Sequence, residues 1–153
     1  MLSNERGVRL CFDWGKARVG VAYCDPDGIM AHPVETIPAK DQPFRRVAAL
    51  VAEYEPVEVV LGWPRNLAGK EGPAVDFMRG VLAELEATVA PLRVVLVDER
   101  MSTAEASRRL AQAGKNARQR RGIIDQAAAV GILEQALESR RQSSAQSMGR
   151  GAE

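Results

Sequence analysis

Val8-Arg9-Leu10-Cys11-Phe12-Asp13-Trp14-Gly15-Lys16-Ala17-Arg18-Val19-Gly20-Val21-Ala22-Tyr23-Cys24 is the stretch from which the rest of the chain is read. Its two ends, 8–14 and 19–24, are apolar and strand-like, with a short turn at Gly15 to Arg18 between them. Asp25-Pro26-Asp27-Gly28 is a second turn signal, because proline presets one backbone angle and glycine supplies a positive φ. A third strand over 29–37 follows, with Pro33 confining it to a sheet edge or a bulge. The chain therefore opens with two hairpins in succession.

Downstream the period changes. Phe44, Val47, Ala48, Val51 and Tyr54 recur at helical spacing, and Pro56 closes that helix. Val57 to Leu61 is a short strand ended by Gly62. A polar loop with Gly69, Gly72 and Pro73 leads to a helix of Val75, Met78, Leu82 and Leu85. Val94 to Val97 is unbroken apolar sequence, the pattern of a strand buried on both faces of a parallel sheet. Ser102 or Thr103 caps a helix running to about Ala113, where Gly114 stops it. A last helix spans Ile123 to Ser139. The segment 140–153, rich in Ser, Gln, Gly and Arg, is expected to be a disordered tail, leaving one domain over 1–139. The order β-β-β-α-β-α-β-α-α predicts an α/β domain: a five-stranded mixed sheet flanked by helices, the element order of the ribonuclease-H-like fold.

Bulk properties agree with one globular unit. The chain has 153 residues, 46% hydrophobic and 27% charged, with a net charge of +1. No secretory signal is evident in Met1 to Gly7, and no apolar run approaches the roughly 18 residues that cross a bilayer. The expectation is a cytoplasmic protein with reduced thiols, monomeric or homodimeric, and no membrane partner. Cys11 sits inside a strand as a core residue. Cys24, at a strand end beside a turn, is a candidate for an accessible thiol.

Three places carry acids that this topology would bring together. Asp13 ends the first strand, where a buried charge needs a partner, a hydrogen bond or a metal; an Asx cap on the Gly15 turn is the competing reading. Asp98 and Glu99 follow the strand 94–97, at the carboxyl edge where α/β sheets bind ligands. Alternation sends them to opposite faces, so one of the two faces the site. Asp125 heads the apolar stripe Ala128, Ala129, Ile132 and Ala136, so it points at the sheet. Compensation of the helix dipole explains an acid in a first turn but not its place on the apolar side. Oxygen-only ligands suit Mg²⁺ or Mn²⁺ rather than zinc. His32, beside Pro33, reads as a surface or core-edge residue rather than a ligand.

Charge is segregated as well. Arg100, Arg108, Arg109, Lys115, Arg118, Arg120 and Arg121 face a single acid, Glu105, over 100–121. A basic loop over 115–121 beside an acidic metal site is what a nucleic-acid backbone requires, although such runs also occur as solvated faces. Lys16, Arg18, Arg100, Lys115, Arg118, Arg120 and Arg121 are thus the candidate nucleic-acid contacts.

These residues resemble the YqgF (RuvX) family. The resemblance rests on Asp13-Trp14-Gly15-Lys16-Ala17-Arg18-Val19-Gly20-Val21-Ala22, on Val60-Leu61-Gly62-Trp63-Pro64 with Gly69, and on Asp98-Glu99-Arg100-Met101-Ser102-Thr103. A fourth block is Asp125-Gln126-Ala127-Ala128-Ala129-Val130-Gly131-Ile132-Leu133. The resemblance implies a nuclease of the bacterial cytoplasm, acting on the 5′ end of pre-16S ribosomal RNA or on four-way DNA junctions. It assigns Asp13, Glu99 and Asp125 as catalytic, metal-binding acids, with Asp98 a neighbour, and Gly62, Pro64 and Gly69 to a loop bordering the substrate. Trp14, Trp63 and Arg65 depart from the family pattern; Trp63 is a candidate either for stacking on an unpaired base or for packing. Two other classes remain open at this point: a small-molecule kinase of the sugar-kinase and actin type, which needs two such domains, and a nucleic-acid-binding module without catalysis.

Overall fold

The computed structural model describes residues 1–64, 72–99 and 117–151, without the side chains of 99, 117–122 and 146–151. The expected helix over about 102–113 lies outside the described residues. Strands β1 (Arg9–Trp14), β2 (Arg18–Cys24) and β3 (Ala31–Pro38) come first. Helix α1 (Pro43–Tyr54), β4 (Glu58–Pro64), α2 (Pro73–Val89), β5 (Val94–Glu99) and α3 (Ala117–Gly151) follow. The five strands form one sheet in the order β3-β2-β1-β4-β5, placing β1 at its centre. β1 pairs antiparallel with β2, and β2 with β3; β4 runs parallel to both β1 and β5. The predicted fold class is borne out.

Alternation along the strands divides the core in two. Leu10, Phe12 and Trp14 of β1 join Val19, Val21, Val59 and Leu61 in a cluster with Val47 and Leu50 of α1 and Met78, Val81 and Leu85 of α2. Cys11, Ala22, Cys24, Val60 and Val95 face the other way, onto Ala129, Ile132, Leu133 and Leu137 of α3. Asp13 shares the parity of Cys11, so it belongs to the α3 face. Pro33 sits on edge strand β3, where the pairing also slips: Val21 faces Glu35 but Ala22 faces Pro33. Both expectations for that proline hold at once.

Several boundaries differ from the sequence reading. β4 continues through Gly62 to Pro64 because its parallel pairing with β5 extends to Pro64 and Glu99. β5 is an edge strand rather than a doubly buried one, and Leu96 is 43% exposed. Cys24 is wholly buried, and burial pushes its thiol up from the ordinary value, so the accessible-thiol reading is overturned. α3 begins at Ala117 and runs to Gly151, where the sequence pointed to a basic loop before it and a disordered tail after Ser139. The extension is tied down: Arg140 Nε donates to the Ser3 carbonyl at 2.9 Å, and Arg141 Nη1 to the Gly28 carbonyl at 3.0 Å. Polar composition conceals such anchors, since their partners lie at the other end of the chain. No described helix is long and apolar enough to cross a membrane.

Candidate active site

The site is built around a glycine. Gly20 of β2 lies directly across the antiparallel pair from Asp13 and is itself paired with Thr36 of β3. A Cβ at Gly20 would stand 2.0 Å from the main-chain carbonyl oxygen of Asp125. The backbone of α3 thus rests on β2 at this point, an approach that only a glycine permits. Gln126 secures it from the next position, its Nε2 donating to Thr36 Oγ1 at 3.1 Å. Behind the contact the small-residue stripe is buried as the spacing implied, with Ala128, Ala129, Ile132 and Ala136 all at 5% exposure or less.

Asp125 is therefore held against the hairpin that carries Asp13. Its Oδ2 accepts a hydrogen bond from Arg18 Nε at 2.6 Å, with the two side chains 22% and 36% exposed. Arg18, a candidate nucleic-acid contact in the sequence, is engaged here with one of the candidate acids. Asp13 is half-buried, one position before Trp14. Trp14 stacks on Phe44 with ring centroids 4.6 Å apart and is buried, so that departure from the family pattern is absorbed by packing under α1.

Strand parity separates the neighbouring acids on β5. Asp98 pairs with Trp63, shares the parity of Leu96 and is exposed. Position 99 pairs with Pro64 and has the parity of Val95 and Val97, both of which belong to the α3-side core. Among the described residues no group of three His, Cys, Asp or Glu gathers to hold a metal ion. Asp13 and Asp125 are brought to one place by Gly20; the side chain of Glu99 lies outside the described residues. His32 is half-buried on β3, its ring 5.3 Å from that of Tyr23.

The remaining candidates divide sharply. Lys16 is exposed on the β1–β2 turn. Gly62, Trp63 and Pro64 form the end of β4 rather than a loop, and Trp63 is half-buried against the core under α1 and α2, where packing engages it. Positions 118, 120 and 121 lie in the first turns of α3 rather than in a loop, with Arg118, Arg120 and Arg121 outside the side-chain description. Arg65, Gly69, Arg100 and Lys115 lie outside the described residues.

A family model described as "RuvX: Holliday junction resolvase" matches residues 7–139. The chain belongs to the RuvX family. All four sequence blocks that carried the resemblance fall within the matched span. Among curated relatives, the "Putative pre-16S rRNA nuclease" of Streptomyces coelicolor is 57% identical over 139 residues, covering 90% of this chain and 83% of that protein. The protein of the same name from Cutibacterium acnes is 54% identical over 132 residues, covering 86% and 82%. Two solved structures share the fold. Thermus thermophilus RuvC in complex with Holliday junction substrate aligns with a TM-score of 0.58 at 15% identity, covering 88% of this chain and 96% of that one. Fowlpox virus resolvase with its substrate Holliday junction DNA gives 0.57 at 12% identity, covering 86% and 97%. At such identities the likeness speaks to the ribonuclease-H-like fold and to nothing finer.

Proposed function

We propose that this RuvX-family chain is a divalent-metal-dependent endonuclease of the cytoplasm that hydrolyses phosphodiester bonds in structured RNA, trimming the 5′ end of pre-16S ribosomal RNA. The observation that supports this most directly is the seating of Asp125 on Gly20, across the sheet from Asp13. Two acids far apart in sequence thus come to one glycine. Asp13, Asp125 and Glu99 are the proposed ligands of Mg²⁺ or Mn²⁺; all offer oxygen donors, which suit hard cations. Asp98, on the other parity, is left out of the set.

When bound, such ions stabilise charge on the attacking and leaving oxygens of a phosphodiester displacement. The chain's own residues do the rest. Arg18 fixes the orientation of the Asp125 carboxylate and offsets its charge. Lys16, exposed on the turn after Asp13, meets a phosphate flanking the scissile one. Arg100, Lys115, Arg118, Arg120 and Arg121 supply further backbone contacts, with sequence-independent, salt-sensitive affinity.

Cleavage of four-way DNA junctions is the second reading, favoured by the family's description. One experiment separates the possibilities. The purified protein is incubated with a 5′-extended ribosomal RNA fragment and, separately, with a DNA junction, each with Mg²⁺, Mn²⁺ or chelator. Cutting of the RNA alone, lost in chelator and in Asp13→Asn and Asp125→Asn, is the expected result. Cutting of the junction alone moves the assignment to the second reading. Cleavage persisting in either variant means these acids are not the catalytic ones, and binding without cleavage means a non-catalytic module.

A further inference from the structure

The end of the sheet that carries Asp13 has a second basic surface, on the side of the molecule away from α3. β3 runs parallel to β1, so its last residue, Pro38, emerges at the same edge as Asp13. The connection from β3 to α1 then lies beside the β1–β2 turn: the Ala39 amide donates to the Ala17 carbonyl at 2.9 Å. That bond sets Lys40 next to the turn bearing Lys16. Beyond it is an open hollow of about 560 Å³, lined by Lys40, Asp41, Gln42, Arg45, Arg46 and Ala49. Three basic residues stand there against one acid.

Their pairing is uneven. Arg46 is committed to Glu35 through two hydrogen bonds of 2.9 and 2.6 Å. Lys40 and Arg45 are exposed and form no ion pair with any described residue; the one side-chain bond of Arg45 is a long 3.5 Å contact to Gln42. The charges also stand at an unfavourable place. α1 has no acid in its first turn and no side-chain cap, so positive side chains gather at the positive pole of a helix. Asp41, just before the helix, offsets one of the two free charges, and no described residue offsets the other. An anionic partner would.

We propose that Lys40 and Arg45 form a docking surface for the phosphodiester backbone of the substrate, a second arm that continues from Lys16 over the sheet edge and away from the cleavage point. The proposal rests on the nuclease reading above and deepens it. It assigns no chemistry to the surface: two exposed cations against an open hollow match a polyanion and carry no sequence discrimination. Nucleic acid held there spans the sheet end, with Arg18 and Asp125 on one side and the start of α1 on the other.

The test measures binding rather than cleavage. Anisotropy of a fluorescein-labelled RNA hairpin with a 5′ extension is followed in chelator over a range of salt. The proteins are the unmodified chain, Lys40→Ala/Arg45→Ala, Arg45→Lys, and Arg6→Ala, an exposed arginine paired with Asp27 at the opposite end of β1. Loss of two phosphate contacts should make the plot of log affinity against log salt shallower by about 1.4 to 1.8. Arg45→Lys should retain most of the slope, and Arg6→Ala all of it. Circular dichroism confirms folding, and the two residues' exposure leaves the core untouched. If the unmodified chain binds and the double variant has the same slope, the docking surface is refuted and the nuclease reading stands. If the unmodified chain binds no RNA in any salt, the RNA reading and the inference fall together.

Discussion

Gly20 has no side chain because the Asp125 carbonyl stands where one would go. Gly20→Ala must push α3 off β2, and overpacking of this kind costs about 1–3 kcal/mol. Urea denaturation should record that loss, and the variant should lose cleavage along with it, because Asp125 moves with the helix. A surface residue makes a different prediction. Asp25 accepts hydrogen bonds from the amides of Asp27, Ile29 and Met30 at 3.1, 3.0 and 2.8 Å, which builds the turn into β3. The Met30 amide, followed by those of Ile29 and Asp27, holds its carboxyl below the usual value, so folding favours the ionised form. The stabilisation is therefore present above the unfolded pKa of about 4 and is lost as pH falls through the lower folded value. Asp25→Ala should cost about 1 kcal/mol at neutral pH, discounted for solvent screening, and progressively less as pH falls below about 4, as read by paired denaturation curves. Of these two residues only the second was legible as structural in the sequence, from its Asp-Pro-Asp-Gly context. Gly20 looked like any glycine in a strand, because its neighbour is 105 positions away.

At the scale of elements, the N-terminal segment and the end of α3 form one assembly that the sequence did not reveal. Arg9, fully buried, donates from Nε to Glu58 Oε1 at 2.7 Å and from its other nitrogens to the carbonyls of Ser3, Glu5 and Gly7. Arg140 of α3 binds the carbonyls of Ser3 and Asn4 from the other side, at 2.9 and 3.0 Å. Two guanidinium groups thus satisfy backbone acceptors that no strand or helix engages. Glu58→Ala should cost about 3–5 kcal/mol, because it leaves Arg9 charged and buried. Ending the chain after Ser139 removes Arg140 and should cost about 2 kcal/mol, a charge-assisted bond's share, where a disordered tail would cost nothing. Urea midpoints check both. The strands and α1 were readable from period and turn chemistry. The edge position of β5 was not: four apolar residues in a row look alike whether one face or two are covered.

Across the whole molecule, the pairing directions bring the carboxyl ends of β1, β3, β4 and β5 to one edge of the sheet, with α3 crossing β2 there. A cation held by Asp13, Glu99 and Asp125 would bind only the folded state. Mn²⁺ at about 100 times its dissociation constant should raise stability by about 2.7 kcal/mol. Asp125→Asn should abolish that rise in a thermal melt, a readout that needs no catalysis. An equal rise in the variant would place the ion elsewhere. The sequence by itself determined the family, the order of the described strands and helices and which acids are candidates, because hydrophobic period, turn residues and motif spacing are local properties of the chain. Tertiary structure alone decided which face of β5 each of positions 98 and 99 takes, that Arg18 pairs with Asp125, that Trp63 packs against the core, and that Lys40 and Arg45 stand at the same sheet edge as Asp13. Each of those depends on strand register or on a contact between distant segments, and no local pattern of residues encodes such distances.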